Sequence, residues 1–146
     1  MSSVLARKRG ISEMEFYHSA LLLRAELTTF LMNEKHVPKK WRFVFSFPML
    51  DIMKDMFGHI IAANDIFPYT QEAVAERKAL QRYAIDDCER MWDMLQYMLC
   101  TLFRDTSADH PIPAQLELIG EILDRTESLF KAWRKSTKLL SNKSEK

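Results

Sequence analysis

Residues 70 to 102 read TQEAVAERKALQRYAIDDCERMWDMLQYMLCTL, and this stretch decides the fold. Its apolar positions Ala73, Leu80, Ala84, Cys88, Met91, Leu95, Met98 and Leu102 follow one another in steps of three, four and seven. That spacing lines up on one face of an α-helix and scatters over both faces of a strand. No Gly or Pro interrupts the run, and Thr70 stands at its start as a hydroxyl N-cap.

On the N-terminal side, Phe67-Pro68 closes an earlier helix carrying Met49, Met53, Met56, Phe57, Ile60 and Ile61. Pro48 within it removes one helical hydrogen bond, so either the helix kinks there or a short turn precedes Ser46 and the main helix begins just after it. A break around Pro38 separates this helix from the first, which starts with the capping-box pair Ser12 and Glu15 and places Phe16, Ala20, Leu23, Leu27, Phe30 and Leu31 on one stripe. On the C-terminal side, the polar stretch from Arg104 to Pro113 precedes a fourth helix with Leu116, Ile119, Leu123, Phe130 and Trp133 on one face. The expected helices span 12–33, 40–66, 70–103 and 113–138. Short connections make successive helices antiparallel, which predicts an all-α, up-down-up-down four-helix bundle over 12–140. A flexible basic segment, 1–11, and a flexible tail, 141–146, flank it. Leu27, Met56, Leu80, Met91, Leu95, Leu123 and Phe130 are the expected core.

Composition agrees with one helical domain. The 146 residues suit a single core, 28% charged and 47% hydrophobic residues are ordinary for a soluble globular chain, and only 3 Gly and 5 Pro leave too few turns for a β-sandwich. No apolar run approaches the roughly 20 residues of a membrane span, and the leading segment lacks the apolar core of a secretory signal. Cys88 and Cys100 sit on one helix about 18 Å apart in rise, too far to pair. Reduced thiols and a cytoplasmic location follow.

Most chemistry-bearing motifs fail. A di-iron bundle needs Glu-x-x-His on each of two helices; here only Glu15 with His18 matches, and Asp55 stands at the wrong interval from His59. These read as a capping glutamate and surface histidines, and His36 and His110 as solvated loop residues, so no metal or other cofactor is expected. Gly10, Gly58 and Gly120 build no phosphate loop, and no Gly-x-Ser-x-Gly occurs. The acids Asp86, Asp87, Glu89 and Asp93, with Arg82 and Arg90 nearby, read as a solvated, salt-bridged face. The chain is therefore not expected to be an enzyme.

Two features point elsewhere. The second helix, from Phe45 to Ile61, is apolar over about 180°, and the first is nearly as broad, whereas one core needs a stripe of little more than about 100°. The surplus fits either a plump monomer core filled by Met and Phe or, as expected here, a homo-oligomer built through the outer faces of the bundle. Positive charge is also clustered, although 21 Lys and Arg against 20 Asp and Glu give a net charge of only +1. Lys35, Lys39, Lys40 and Arg42 surround the first loop with Trp41 and Phe43; Lys131, Arg134, Lys135 and Lys138 surround Trp133; Arg7, Lys8 and Arg9 lie in the leading segment. Such clusters suit phosphate, and an exposed aromatic ring beside them suits a base; the ordinary alternative is that Lys and Arg late in a helix complement its dipole and their stems cover Trp. Arg42 and Asn64 project onto the apolar side of the second helix and are expected to be structural, Asn64 hydrogen-bonded and Arg42 meeting a carboxylate or helix terminus.

The run Val37-Pro38-Lys39-Lys40-Trp41-Arg42, the Ala62-Ala63-Asn64 that closes the second helix and the Trp133-Arg134-Lys135 that closes the fourth resemble the four-helix-bundle family of the accessory variability determinant of diversity-generating retroelements. That family includes the protein encoded in intervening sequences of large-subunit ribosomal RNA, and the similarity runs from about Met14 to Lys138. It implies a pentameric barrel of bundles that binds RNA or DNA and a reverse transcriptase during mutagenic copying of a template RNA, without being the polymerase. The alternative is a non-catalytic oligomeric interaction bundle with no nucleic-acid role.

Overall fold

The computed structural model describes residues 11, 14–105 and 111–140. Four α-helices account for most of them: α1 is Glu15–Leu31, α2 is Phe47–Asn64, α3 is Gln71–Leu102 and α4 is Ala114–Ser136. There is no strand among the described residues. This all-α, four-helix architecture fits a four-helix bundle. Arg7, Lys8, Arg9, Ser12, His110 and the 141–146 tail lie outside the described residues.

Two of the helix starts have a clear local cause, at Thr70 and at Pro48. The Thr70 hydroxyl accepts the Ala73 N–H at 3.0 Å and starts α3, as its position predicts. Glu15 serves no such purpose. The N-cap of α1 is Met14, which makes no side-chain cap, and Glu15 instead meets Arg125 of α4 at 2.6 Å. Before α2, a 3₁₀ turn over Lys39–Trp41 runs into a π turn over Arg42–Ser46, closed by the Phe47 N–H on the Arg42 carbonyl. Pro48 explains the widening. It has no N–H for the Val44 carbonyl and its ring would strike that carbonyl in an α-helix, so regular geometry begins only when Pro48 lies in the first turn of α2. Of the two arrangements expected around Pro48, the structure has the preceding turn. The buried Ser46 hydroxyl donates to the Leu31 carbonyl at 2.8 Å, satisfying one of the acceptors that α1 leaves open at its end.

Leu23, Leu27, Phe30 and Leu31 of α1, Met49, Met53, Met56 and Ile60 of α2, Ala84, Cys88, Met91, Leu95 and Met98 of α3, and Ile119, Leu123 and Phe130 of α4 fill the core. Of the expected core, Leu80 is only partly buried. Ile61, expected on the α2 stripe, is exposed, because it lies roughly 80–140° around the helix from Met53, Met56 and Ile60. Contacts between α1 and α4 run in opposite sequence order, Glu15 meeting Arg125 and Glu26 meeting Gln115. The same is true of α2 and α3, where Asp55 meets Arg90 and the Ile66 carbonyl meets Arg77.

Polar groups are built into this core. The Ser19 and Thr126 hydroxyls pair at 2.7 Å between α1 and α4, with Thr126 also donating to the Ile122 carbonyl. Trp92 donates its indole N–H to Glu127 at 2.9 Å. Asp87 corrects the reading of the acidic face as solvated: it is buried, accepting from Arg90 at 2.9 Å and lying 2.6 Å from His59 Nδ1. His59 is accordingly half-buried and engaged, not a free surface histidine. His36 is also enclosed, its ring stacked on Phe30 with centroids 4.4 Å apart and its Nδ1 without a partner.

Candidate nucleic-acid interface

Lys78 and Arg82 are four residues apart on α3 and so share a face; Lys131, Arg134 and Lys135 recur by the same period on α4. Packing of the two helices brings the sets together in a cleft of about 350 Å³ lined by Lys78, Arg82, Ile85, Lys131, Arg134 and Lys135. One bond fixes the arrangement: Arg134 Nε donates to the Lys78 carbonyl at 3.1 Å, leaving the rest of the guanidinium for a ligand. Two of the five cations have carboxylate partners, Arg82 with Asp86 at 3.1 Å and Lys131 with Glu127 at 3.1 Å. The hydrogen bond from Lys131 to Glu127, with that carboxylate's charge, raises the pKa of the ammonium and keeps it charged. Lys78, Arg134 and Lys135 pair with no carboxylate among the described residues.

Lys131, Arg134 and Lys135 line this cleft together, whereas Lys138 is exposed beyond α4 and does not line it. Lys78 belongs to none of the positive clusters visible in the sequence, and Arg82 reads there only as a partner of the acids on α3. The first half of α3 instead supplies two of the five cations. The signal was present as the i, i+4 pair, but only the packing of α3 on α4 makes it part of a site.

The first-loop cluster is less available. Lys39 meets Glu34 at 3.3 Å and Arg42 reaches the same carboxylate at 3.7 Å, while Lys40 lies over the Trp41 ring. Arg42 Nε is buried without a partner. Lys35 borders a separate cleft with His36, Leu102, Phe103 and Asp105. Asn64, expected to be hydrogen-bonded, is half-buried at the end of α2, and its side chain has no hydrogen-bond partner among the described residues. Neither tryptophan expected to stack a base is free to do so. Trp133 lies on Phe16 with centroids 3.9 Å apart and carries Arg77 over its ring, and Trp41 packs against the core beside Phe45.

Other concavities differ in character. One, of about 670 Å³ between α2 and α3, is lined by Pro48, Asp51, Ile52, Glu89, Arg90, Asp93 and Met94, and its carboxylates would repel phosphate. A small one of about 140 Å³ beside Trp92, Leu95 and Gly120 is apolar. Cys88 is buried, and burial, reinforced by Glu127, Asp87 and Glu89, pushes its pKa far above the ordinary thiol range, so it offers no thiolate. Among the described residues no three His, Cys, Asp or Glu side chains gather as a metal site requires, and no helix is long and apolar enough to cross a membrane. Comparison of the chain with known protein families, curated proteins and solved structures gave no match.

Proposed function

We propose that this chain is a non-catalytic accessory subunit of a diversity-generating retroelement reverse transcriptase, holding the polymerase together with template RNA or its cDNA during mutagenic retrohoming. In this reading it is a cytoplasmic protein, an antiparallel up-down-up-down bundle assembled into a pentameric barrel. The observation that carries it is the cleft between α3 and α4, where five cations converge and three are unpaired. A net charge of +1 spread evenly would attract no polyanion, but this concentration does. The retroelement assignment comes from the resemblance of 37–42, 62–64 and 133–135, the last of which contributes Arg134 and Lys135 to the cleft. The opposite order of contacts along α1 and α4, and along α2 and α3, supports the antiparallel arrangement. Exposed Leu21 and Leu22 on α1, Met32 just after it, and Phe47 and Ile61 on α2, with Phe43 before it, support the assembly.

Titration of a labelled RNA at increasing salt, followed by anisotropy, tests the reading. If four or five phosphates are neutralised, log K falls against log salt with a slope of about −3 for a single strand. Reversing charge at Lys78 and Lys135 should weaken binding at least tenfold and flatten that slope, while reversal at Lys39 and Lys40 should do less. Co-purification with the reverse transcriptase tests the other half. Retention of the polymerase with no RNA binding at low salt would favour the alternative, an oligomeric interaction bundle without a nucleic-acid role.

A further inference from the structure

We propose that the nucleic acid held on the α3–α4 cleft is single-stranded, and that its unpaired bases stack on Phe67 and Tyr69 in the loop between α2 and α3. This rests on the polyanion reading of the cleft and adds the class of strand it takes. Phe67 is 66% exposed and Tyr69 49% exposed, and their rings face each other at 25° with centroids 6.3 Å apart. Large aromatic rings left in water on a turn do nothing for the core, but their open faces match the faces of unpaired bases.

The loop is tied to the cleft by the end of the chain. After Arg134 bonds the Lys78 carbonyl, Thr137 exchanges hydrogen bonds with Gln81 at 2.9 and 3.1 Å, and the Leu140 N–H then donates to the Pro68 carbonyl at 2.8 Å. Pro68 lies between the two aromatic residues. Only Lys138 and Leu139 lie between Thr137 and Leu140, a span of three residue steps and about 11 Å at most, so the rings stand a short stretch of nucleic-acid strand away from the cations. Lys138 is exposed on this connecting strap. The division of labour follows from charge: phosphates run along Lys78, Arg134, Lys135 and Lys138, while the loop, flanked by Asp65 and Glu72, repels phosphate and takes the neutral bases. A duplex, whose bases are stacked on one another, offers phosphates to the cleft but no base faces to the rings.

Anisotropy at low salt with a short labelled RNA, the same sequence as a duplex, and inorganic polyphosphate as a base-free competitor tests this. The wild-type chain should prefer the single strand. Phe67→Leu and Tyr69→Leu, at exposed positions where helicity is expected to persist, should each lower single-strand affinity roughly five- to a hundredfold and leave polyphosphate competition unchanged, while Phe67→Trp retains binding. If the leucine variants bind RNA like the wild type while Lys78→Glu with Lys135→Glu does not, the stacking proposal falls and the cleft reading stands. If the wild-type chain binds neither RNA nor polyphosphate, both fall. If the leucine variants lose sedimentation with phosphatidylserine vesicles and keep RNA binding, the rings serve a bilayer and the proposal is overturned.

Discussion

Asp87 shows how much a single buried carboxylate can join. From α3 it engages His59 of α2 and Arg90 of its own helix, and Arg90 also reaches Asp55 of α2 at 3.2 Å. Asp87→Asn keeps the size of the side chain but removes the charge that both partners use. Hydrogen bonds to charged groups contribute about 1.5–3 kcal/mol, so the variant should lose stability of that order in urea unfolding, without loss of helix content. A smaller effect than about half a kcal/mol would show that the cluster is held by packing alone. The two thiols differ as sharply. Cys88 is buried and Cys100 exposed, and burial holds the Cys88 pKa above its unfolded 9.0. A folded pKa above the unfolded one means that this contribution to stability is complete below about 9 and is lost as the pH climbs through the folded-state value. A thiol reagent at mildly alkaline pH should therefore modify Cys100 promptly and Cys88 only on unfolding, which mass spectrometry of the labelled peptides would read directly.

At the scale of the helices, Leu95 tests whether the stripe read from residues 70 to 102 is the true core face of α3. It is 4% exposed, and Leu95→Ala should cost about 2–5 kcal/mol, measured by denaturant unfolding. The stripes were legible because burial repeats with the helix period, and they place Leu27, Met56, Met91, Leu95, Leu123 and Phe130 inside. What the period cannot carry is any pairing across helices. Ser19 and Thr126 lie 107 residues apart and Gln81 and Thr137 lie 56 apart, so their hydrogen bonds exist only after packing, and isolated polar residues in a stripe read as noise. Pro48 was legible as an irregularity, but the π turn that absorbs it depends on Ser46 having the Leu31 carbonyl to hold. The cationic cleft has the same origin. Lys131, Arg134 and Lys135 form a visible cluster because they are close in the chain, whereas Lys78 and Arg82 join them from more than 45 residues away, amid a run of acids.

For the whole molecule, the decisive quantity is the apolar surface left outside the core. Leu21 and Leu22 on α1, Met32 just after it, and Phe47 and Ile61 on α2 are each 41–50% exposed, and Phe43 reaches 80%, in edge contact with Phe47 at a centroid distance of 5.3 Å. Scattered apolar residues are ordinary on a monomer, but two rings in edge-to-face contact at the entrance to α2 form a joined surface that water solvates poorly. Their burial between copies fits the assembly proposed above. Light scattering at micromolar concentration should give several times the 17.2 kDa chain mass. Phe43→Glu should lower that mass while the circular dichroism of the helices is unchanged, since the ring contributes little to the core and a charge at an interface centre is costly. A wild-type monomer would leave each cationic cleft acting alone. The consequence for RNA is measurable: several clefts on one assembly raise the effective concentration of each for the next stretch of the same strand, so the Phe43→Glu protein should bind long RNA more weakly than the wild type and short RNA equally well. Equal loss on long and short RNA would instead place Phe43 in the contact with the strand.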